Sequence, residues 1–290
     1  MPILRMQPDI QNQGYAAGLA AAMAAKAGTG TRAIDIKALQ KLLVEKGNLP
    51  ASTLTDKDSY PFPHERIAAA VASLRNEYDG VAVVLAFPHE ALPLLREAYK
   101  SAASDKDKLV YAHVLGMFGD ATGAPSLVQA VAAAAWDKGW SFTGMGQFGG
   151  SVSRVDSLII ALGRTRKMEG LAPLLEKAAA LNANSEFSHF RAIALALETL
   201  KDPKAAPVLA ELLAKPGMSG FACLDIEAAG ETAELANPNL DRDRSLRELI
   251  LARALYRCGD HDGMGKRILE QYAADLRGHF ARHAHAILSE

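Results

Sequence analysis

Apolar residues recur at helical spacing along almost the whole chain. In residues 35–46, Ile36, Leu39, Leu42 and Leu43 share one face of a helix that stops at Gly47-Asn48. Residues 15–26 predict an alanine-rich helix that opens after Gln13-Gly14. Residues 49–63 hold Pro50, Pro61 and Pro63 among Ser, Thr and Asp, and predict a connector. Residues 64–78 predict a further helix, and the helical period then continues to the end of the sequence. No stretch alternates apolar and polar residues as a half-buried strand would. The expectation is an all-α fold.

A unit repeats within this pattern. Four segments, starting at Tyr111, Ser157, Arg191 and Ile250, each carry an apolar helix whose end is marked by a leucine: Leu115, Leu162, Leu197 and Leu255. A short polar turn follows, and in the first three a proline then leads a second apolar helix (Pro125, Pro173, Pro207). Proline in a first helical turn fixes φ and loses no hydrogen bond. Five residues beyond the leucine stands an acid in three units (Asp120, Asp202, Asp260), where it can cap the next helix. The second unit has Lys167 there, and an earlier, less regular unit places Pro93 like Pro125. One helical hairpin cannot bury its apolar face alone, so such hairpins stack. Over residues 80–290 the pattern resembles HEAT repeats, which implies an α-solenoid, with residues 51–79 as connector and first helix. Two irregular stretches, 136–154 and 217–243, read as insertions. Long irregular loops in compact domains are often functional.

Composition narrows the possibilities. The 290 residues include 32 Lys+Arg and 33 Asp+Glu, a net charge of −1. Nucleic-acid binding through bulk positive charge is therefore not expected. Alanine makes up about a fifth of the chain, well above ordinary usage, which favours closely packed helices. Cys223 and Cys258 are too few for a disulfide framework or a four-cysteine zinc site. No run of apolar residues is long enough for a membrane span. Residues 16–27 have the small-residue character of a signal peptide but lack its cationic and leucine-rich parts, so a packed helix is expected and a cytoplasmic location is the default.

Candidate chemistry is sparse. Gly144-Met145-Gly146-Gln147-Phe148-Gly149 spells G-x-G-x-x-G, but no hydrophobic strand precedes it, and Glu169, the acid at the right distance, falls in a repeat turn. A loop anchored by aromatic residues is the better reading. His279 and His283 are four residues apart and could share a metal, with His285 nearby, yet no third ligand is evident. His189 opens a helix and reads as a packed or capping residue. Asp241-Arg242-Asp243-Arg244 reads as a solvated charge ladder at a helix start. No nucleophile elbow, phosphate loop or catalytic cysteine signature stands out.

The most informative segment is the first. Arg5 to Gly18 is a polar, amide-rich stretch that feeds a helix of very small residues. A helix start with free N–H groups attracts electron-rich ligand atoms, and glycine or alanine there lets a flat ligand approach. Gln13-Gly14-Tyr15-Ala16-Ala17-Gly18, with Arg32 to Leu43 after it, resembles the final motif of FAD-dependent oxidoreductases of the glutathione-reductase-like type. In that family the motif closes over the isoalloxazine and ribityl chain. The resemblance covers residues 3–50 and implies that residues 1–50 are the C-terminal end of a flavin domain, with Gln13, Gly14, Tyr15, Ala16 and Gly18 as FAD contacts. The family's βαβ dinucleotide unit does not stand ahead of Gln13 in this sequence. The expectation is therefore the C-terminal region of a longer oxidoreductase, in which redox chemistry needs a flavin domain in cis and the repeats support substrate access or assembly. The alternative is a stand-alone repeat scaffold that binds another protein on the solenoid surface.

Overall fold

The computed structural model describes residues 7–57, 60–139, 152–227 and 238–290. All regular secondary structure among them is helical, with no strand. The chain divides into two compact units, Met1–Phe62 and Pro63–Glu290. No helix among the described residues is long and apolar enough to cross a membrane.

The first unit holds α1 (Gln7–Ala27) and α2 (Ile36–Glu45), with short 3-10 turns at Thr31–Ala33 and Ala51–Leu54. Helix α1 starts eight residues before the expected Tyr15. After Pro8 the stretch expected to be a loop holds no further proline, its glycines are tolerated inside the helix, and proline followed by Asp9 is itself a helix-start signal. Its end is closed by Thr29 N–H donating to Ala24 O (3.0 Å). Asp35 caps α2 by accepting from Ala38 N–H (3.1 Å), and α2 stops at Gly47 as the pattern requires, with Asn48 N–H on Leu43 O (2.8 Å). Asn48 Nδ2 reaches Asn12 Oδ1 at 3.1 Å and ties α2's end to α1. Among the described residues of this unit only Ala24 and Leu43 are buried.

The second unit runs through α3 (His64–Ser73), α4 (Val81–Ala86), α5 (Pro88–Ser101), α6 (Asp105–Met117), α7 (Ala124–Ala133), α8 (Arg154–Arg164) and α9 (Leu171–Ala179). It continues with α10 (Phe187–Leu200), α11 (Ala205–Ala214), α12 (Pro238–Arg257), α13 (Met264–Ala273) and α14 (Gly278–Leu288). Two differences from expectation have local causes. The helix expected over 64–78 ends at Ser73, because Glu77 and Tyr78 take positive φ (53° and 63°), incompatible with a helix interior. Pro93 sits inside α5 rather than at its start, and the starting proline is Pro88. Pro125, Pro173 and Pro207 do fall in the first turns of α7, α9 and α11, where the missing N–H had no partner to lose.

The helices stack in two files. Helix α6 packs on α8, α8 on α10 and α10 on α12, while α7 packs on α9 and α9 on α11. Leu115, Leu162, Leu197 and Leu255, the markers of the repeat, are all fully buried, each contributing about 2 kcal/mol relative to exposure. Small residues set the spacing. A Cβ on Gly116 would lie 2.9 Å from Ala161 O, and one on Gly163 would lie 2.5 Å from Ala196 Cα. Helices that approach this closely need Ala and Gly at the crossing, which is where much of the alanine goes.

Of the three turn acids expected to cap the next helix, only Asp260 does so. After α6, Gly119 takes φ 80° and Asp120 N–H bonds Leu115 O (2.9 Å); after α12, Gly259 takes φ 98° and Asp260 N–H bonds Leu255 O (2.9 Å). These are matched helix ends with a left-handed glycine. Asp260 serves the next helix, accepting from Gly265 and Lys266 N–H (2.7 and 3.0 Å), whereas Asp120 and Asp202 bond within their own turns, to Thr122 and Lys204 N–H, and cap neither α7 nor α11.

Parts of both irregular stretches are also described. Residues 217–225 form a strap fixed by buried polar groups of α12 and α13. Glu248 accepts from Gly220 and Phe221 N–H (2.8 Å each) and from the Tyr272 hydroxyl (2.8 Å). Asp275 accepts from Cys223 N–H (2.8 Å) and from Arg277, which also donates to Phe221 O.

Candidate functional site

The five residues expected to contact a flavin all lie in the body of α1. Gln13 is the seventh residue of the helix, past the first four positions whose N–H groups lack intrahelical partners. The expected helix-start geometry is thus corrected: no free backbone donors are presented at Gln13, Gly14, Tyr15, Ala16 or Gly18.

The helix does bring some of them together. Gly14 and Gly18 are four residues apart and share a face with Ile10, Ala17, Ala21 and Ala25. Every one of these is exposed, Ile10 at 51%. A Cβ placed on either glycine would meet nothing within 4 Å. Tyr15, 45% exposed, flanks this face. Ala16 is half-buried and belongs to the inward side with Leu19, Ala20 and Met23, so it stands apart from the two glycines. Gln13 is exposed, off the glycine face. The arrangement is a bare stripe about 20 Å long, at 1.5 Å per residue, flanked by the phenol of Tyr15.

The histidines fall to structural roles. His189 Nδ1 lies 2.7 Å from Asp156 Oδ1, both buried, and the Trp136 ring stacks on the imidazole at 4.3 Å. Asp156 also completes a capping box: it accepts from Ser153 N–H (3.0 Å) while Ser153 Oγ accepts from Asp156 N–H (3.1 Å). The pair therefore fastens the start of α10 to the start of α8, in keeping with a packed histidine. Ser153-x-x-Asp156 ahead of an apolar run was a readable signal for the cap; the histidine partner 33 residues away was not.

His283 faces cations. Its Nε2 is 3.3 Å from Arg253 Nη1, and burial, then Arg253 and Arg257, hold the imidazole below its ordinary value. Arg253 grips Glu198 with two nitrogens (2.8 and 2.9 Å), and Arg257 bridges Glu198 and Glu290. His279 and His285 are exposed. Among the described residues no group of three or more His, Cys, Asp or Glu could hold a metal ion.

A further, half-buried histidine was not singled out by the sequence. His113 Nδ1 is 2.7 Å from the Tyr78 hydroxyl, and burial holds its imidazole at about 4, with Arg154 acting in the same direction. Burial pushes the Cys258 thiol up to about 12, and Cys223 is half-buried with its Sγ near Asp225 O. In the charge ladder, Arg242 pairs with Asp243 (3.2 Å) inside α12, which starts at Pro238, while the side chain of Asp241 lies outside the described residues. The G-x-G-x-x-G run at residues 144–149 also lies outside them. No family model, curated protein or solved structure matches the chain.

Proposed function

We propose that residues 1–62 are the C-terminal end of an FAD-dependent oxidoreductase domain and that residues 63–290 are a HEAT-type helical array carried behind it. The observation that supports this most is the outer face of α1. A 21-residue helix that, among its described side chains, buries only Ala24 and exposes Ile10, Gly14, Ala17, Gly18, Ala21 and Ala25 leaves apolar surface bare that a complete domain would cover. Polar outer faces are the rule where a repeat array ends freely.

The residues fit the group the resemblance implies. Gly14 and Gly18 leave room for a flat ring to lie against the helix, and the Gln11 amide on the same face and the Gln13 amide and Tyr15 hydroxyl beside it are exposed polar groups near that surface. FAD, when bound, supplies the two-electron chemistry. On this reading Gly14, Gly18 and Tyr15 form one wall of the site, Gln13 orients from its edge, and Ala16 packs behind the wall.

The test is mass spectrometry of the polypeptide in its own source, together with its flavin content. Peptides that extend upstream into a glycine-rich strand–helix unit, on a protein that carries FAD, are the expected result. A native polypeptide that begins at Met1 and carries no flavin overturns the reading. It would leave the second reading, a repeat scaffold for another protein, whose support is the two-file stacking of α6 to α12.

A further inference from the structure

An arginine cleft in the second unit has no place in the reading above. It lies between the start of α10 and residues 242–247 of α12 and encloses about 490 Å³, within the range of small-molecule sites. Four guanidinium groups line it: Arg191, Arg242, Arg244 and Arg247, with the rings of Phe187 and Phe190.

Arg247 is the unusual one. It is 6% exposed. Its Nη1 donates to Ala183 O (3.1 Å) and its Nη2 to Gly217 O, both uncharged, and its Nε is buried with no partner. Phe190 and Phe221 lie against the guanidinium at 5.3 and 5.9 Å. The adjacent Glu248 is occupied by three other donors, the N–H groups of Gly220 and Phe221 and the Tyr272 hydroxyl. A buried cation with no paired carboxylate is costly, and negative charge brought into the cleft that Arg247 lines would offset part of that cost.

The neighbours reinforce the charge. Arg191 and Arg244 are exposed and have no carboxylate partner among the described residues. Of the two acids lining the cleft, Asp243 is engaged by Arg242, and Glu186 stands exposed at the N-cap position of α10 without capping it by its side chain. Glu186, Phe187 and Ser188, at the start of the 14-residue α10, line the cleft as well.

We infer that this cleft binds a small organic oxyanion, a phosphate monoester or a carboxylate on an apolar body, through Arg191, Arg244 and Arg247, with the body against Phe187 and Phe190. The inference is independent of the flavin reading, because none of its residues belongs to the first unit.

Calorimetric titration of the full chain with phenyl phosphate, benzoate and inorganic phosphate tests it. Saturable binding of phenyl phosphate or benzoate is expected, tighter than inorganic phosphate and weakened by salt. Which of the two binds tighter separates a phosphate from a carboxylate ligand. Arg247 also anchors two loops, so the variant of choice is R191Q/R244Q, whose side chains are exposed. It should melt like the wild type and lose at least about tenfold in affinity, as expected for removal of two charge-assisted contacts. No saturable binding of any probe, or equal binding by the double variant, overturns the inference.

Discussion

Helices α1 and α10 put the same residue types to opposite uses. Helix α1 has 21 residues, among them Gly14 and Gly18 and a run of alanines, and buries one of its described side chains, Ala24. Helix α10 has 14 residues and buries eight, including Ala192, Ala194 and Ala196. In the second unit a small residue is small because another backbone lies against it. In α1 the small residues face open space within the chain. Small residues alone therefore do not mark close approach: Gly163 meets another backbone, whereas a Cβ on Gly14 or Gly18 would meet nothing within 4 Å.

The largest expected effect comes from Gly163→Ala. The new Cβ meets Ala196 Cα, a backbone atom that cannot swing away, so α8 and α10 must separate. A loss of more than about 3 kcal/mol in unfolding free energy, read by chemical denaturation, is expected. If the variant is as stable as the wild type, the close crossing of α8 and α10 is wrong.

Acid should act next, again on the second unit. The folded state keeps His113 neutral by holding its imidazole at about 4, against an ordinary value near 6.5. The unfolded chain takes up the proton first as pH falls. The stability this histidine contributes is full above pH 6.5 and is lost as pH drops toward 4, by about 2–3 kcal/mol. His283, also held low, adds in the same direction. Denaturation midpoints measured between pH 7 and 4 should show this slope, and His113→Phe should flatten it.

Removing a turn carboxylate is a smaller change. Asp260→Ala strips three acceptor contacts, to His261, Gly265 and Lys266 N–H, and should cost about 1–2 kcal/mol in thermal or chemical melts. Asp35→Ala, which removes one such contact from α2, should cost less and be visible in amide exchange of the first unit.

The smallest effect has the opposite sign. Gly18→Ala meets no atom and replaces a poor helix former, so α1 should gain about 0.5–1 kcal/mol of local stability, seen as slower amide exchange. The same substitution in a flavin-bearing longer polypeptide should weaken FAD retention, because the added methyl would stand where the ring lies. That contrast, neutral or better for the helix and worse for the cofactor, distinguishes a ligand-facing glycine from an idle one.

Much of this architecture was legible in the chain. The helical period, the leucine near the end of each first helix, the proline in the next first turn and the acid five residues on are all short-range signals in the sequence, although the leucines do their work by burial in the core. The early start of α1 was also legible, in Pro8-Asp9, but its polar amides read as loop. The tertiary structure alone decided the rest. It paired Asp156 with His189, closed Arg253 and Arg257 on Glu198, and set Arg247 between carbonyls 30 and 64 residues away. It also gave Gly163 and Gly18 different meanings, although both look like weak points in a helix. Periodicity and capping act within a turn or two of the backbone, so sequence reports them. Which side chains meet across the files depends on how whole helices cross, and that is fixed only when the core is packed.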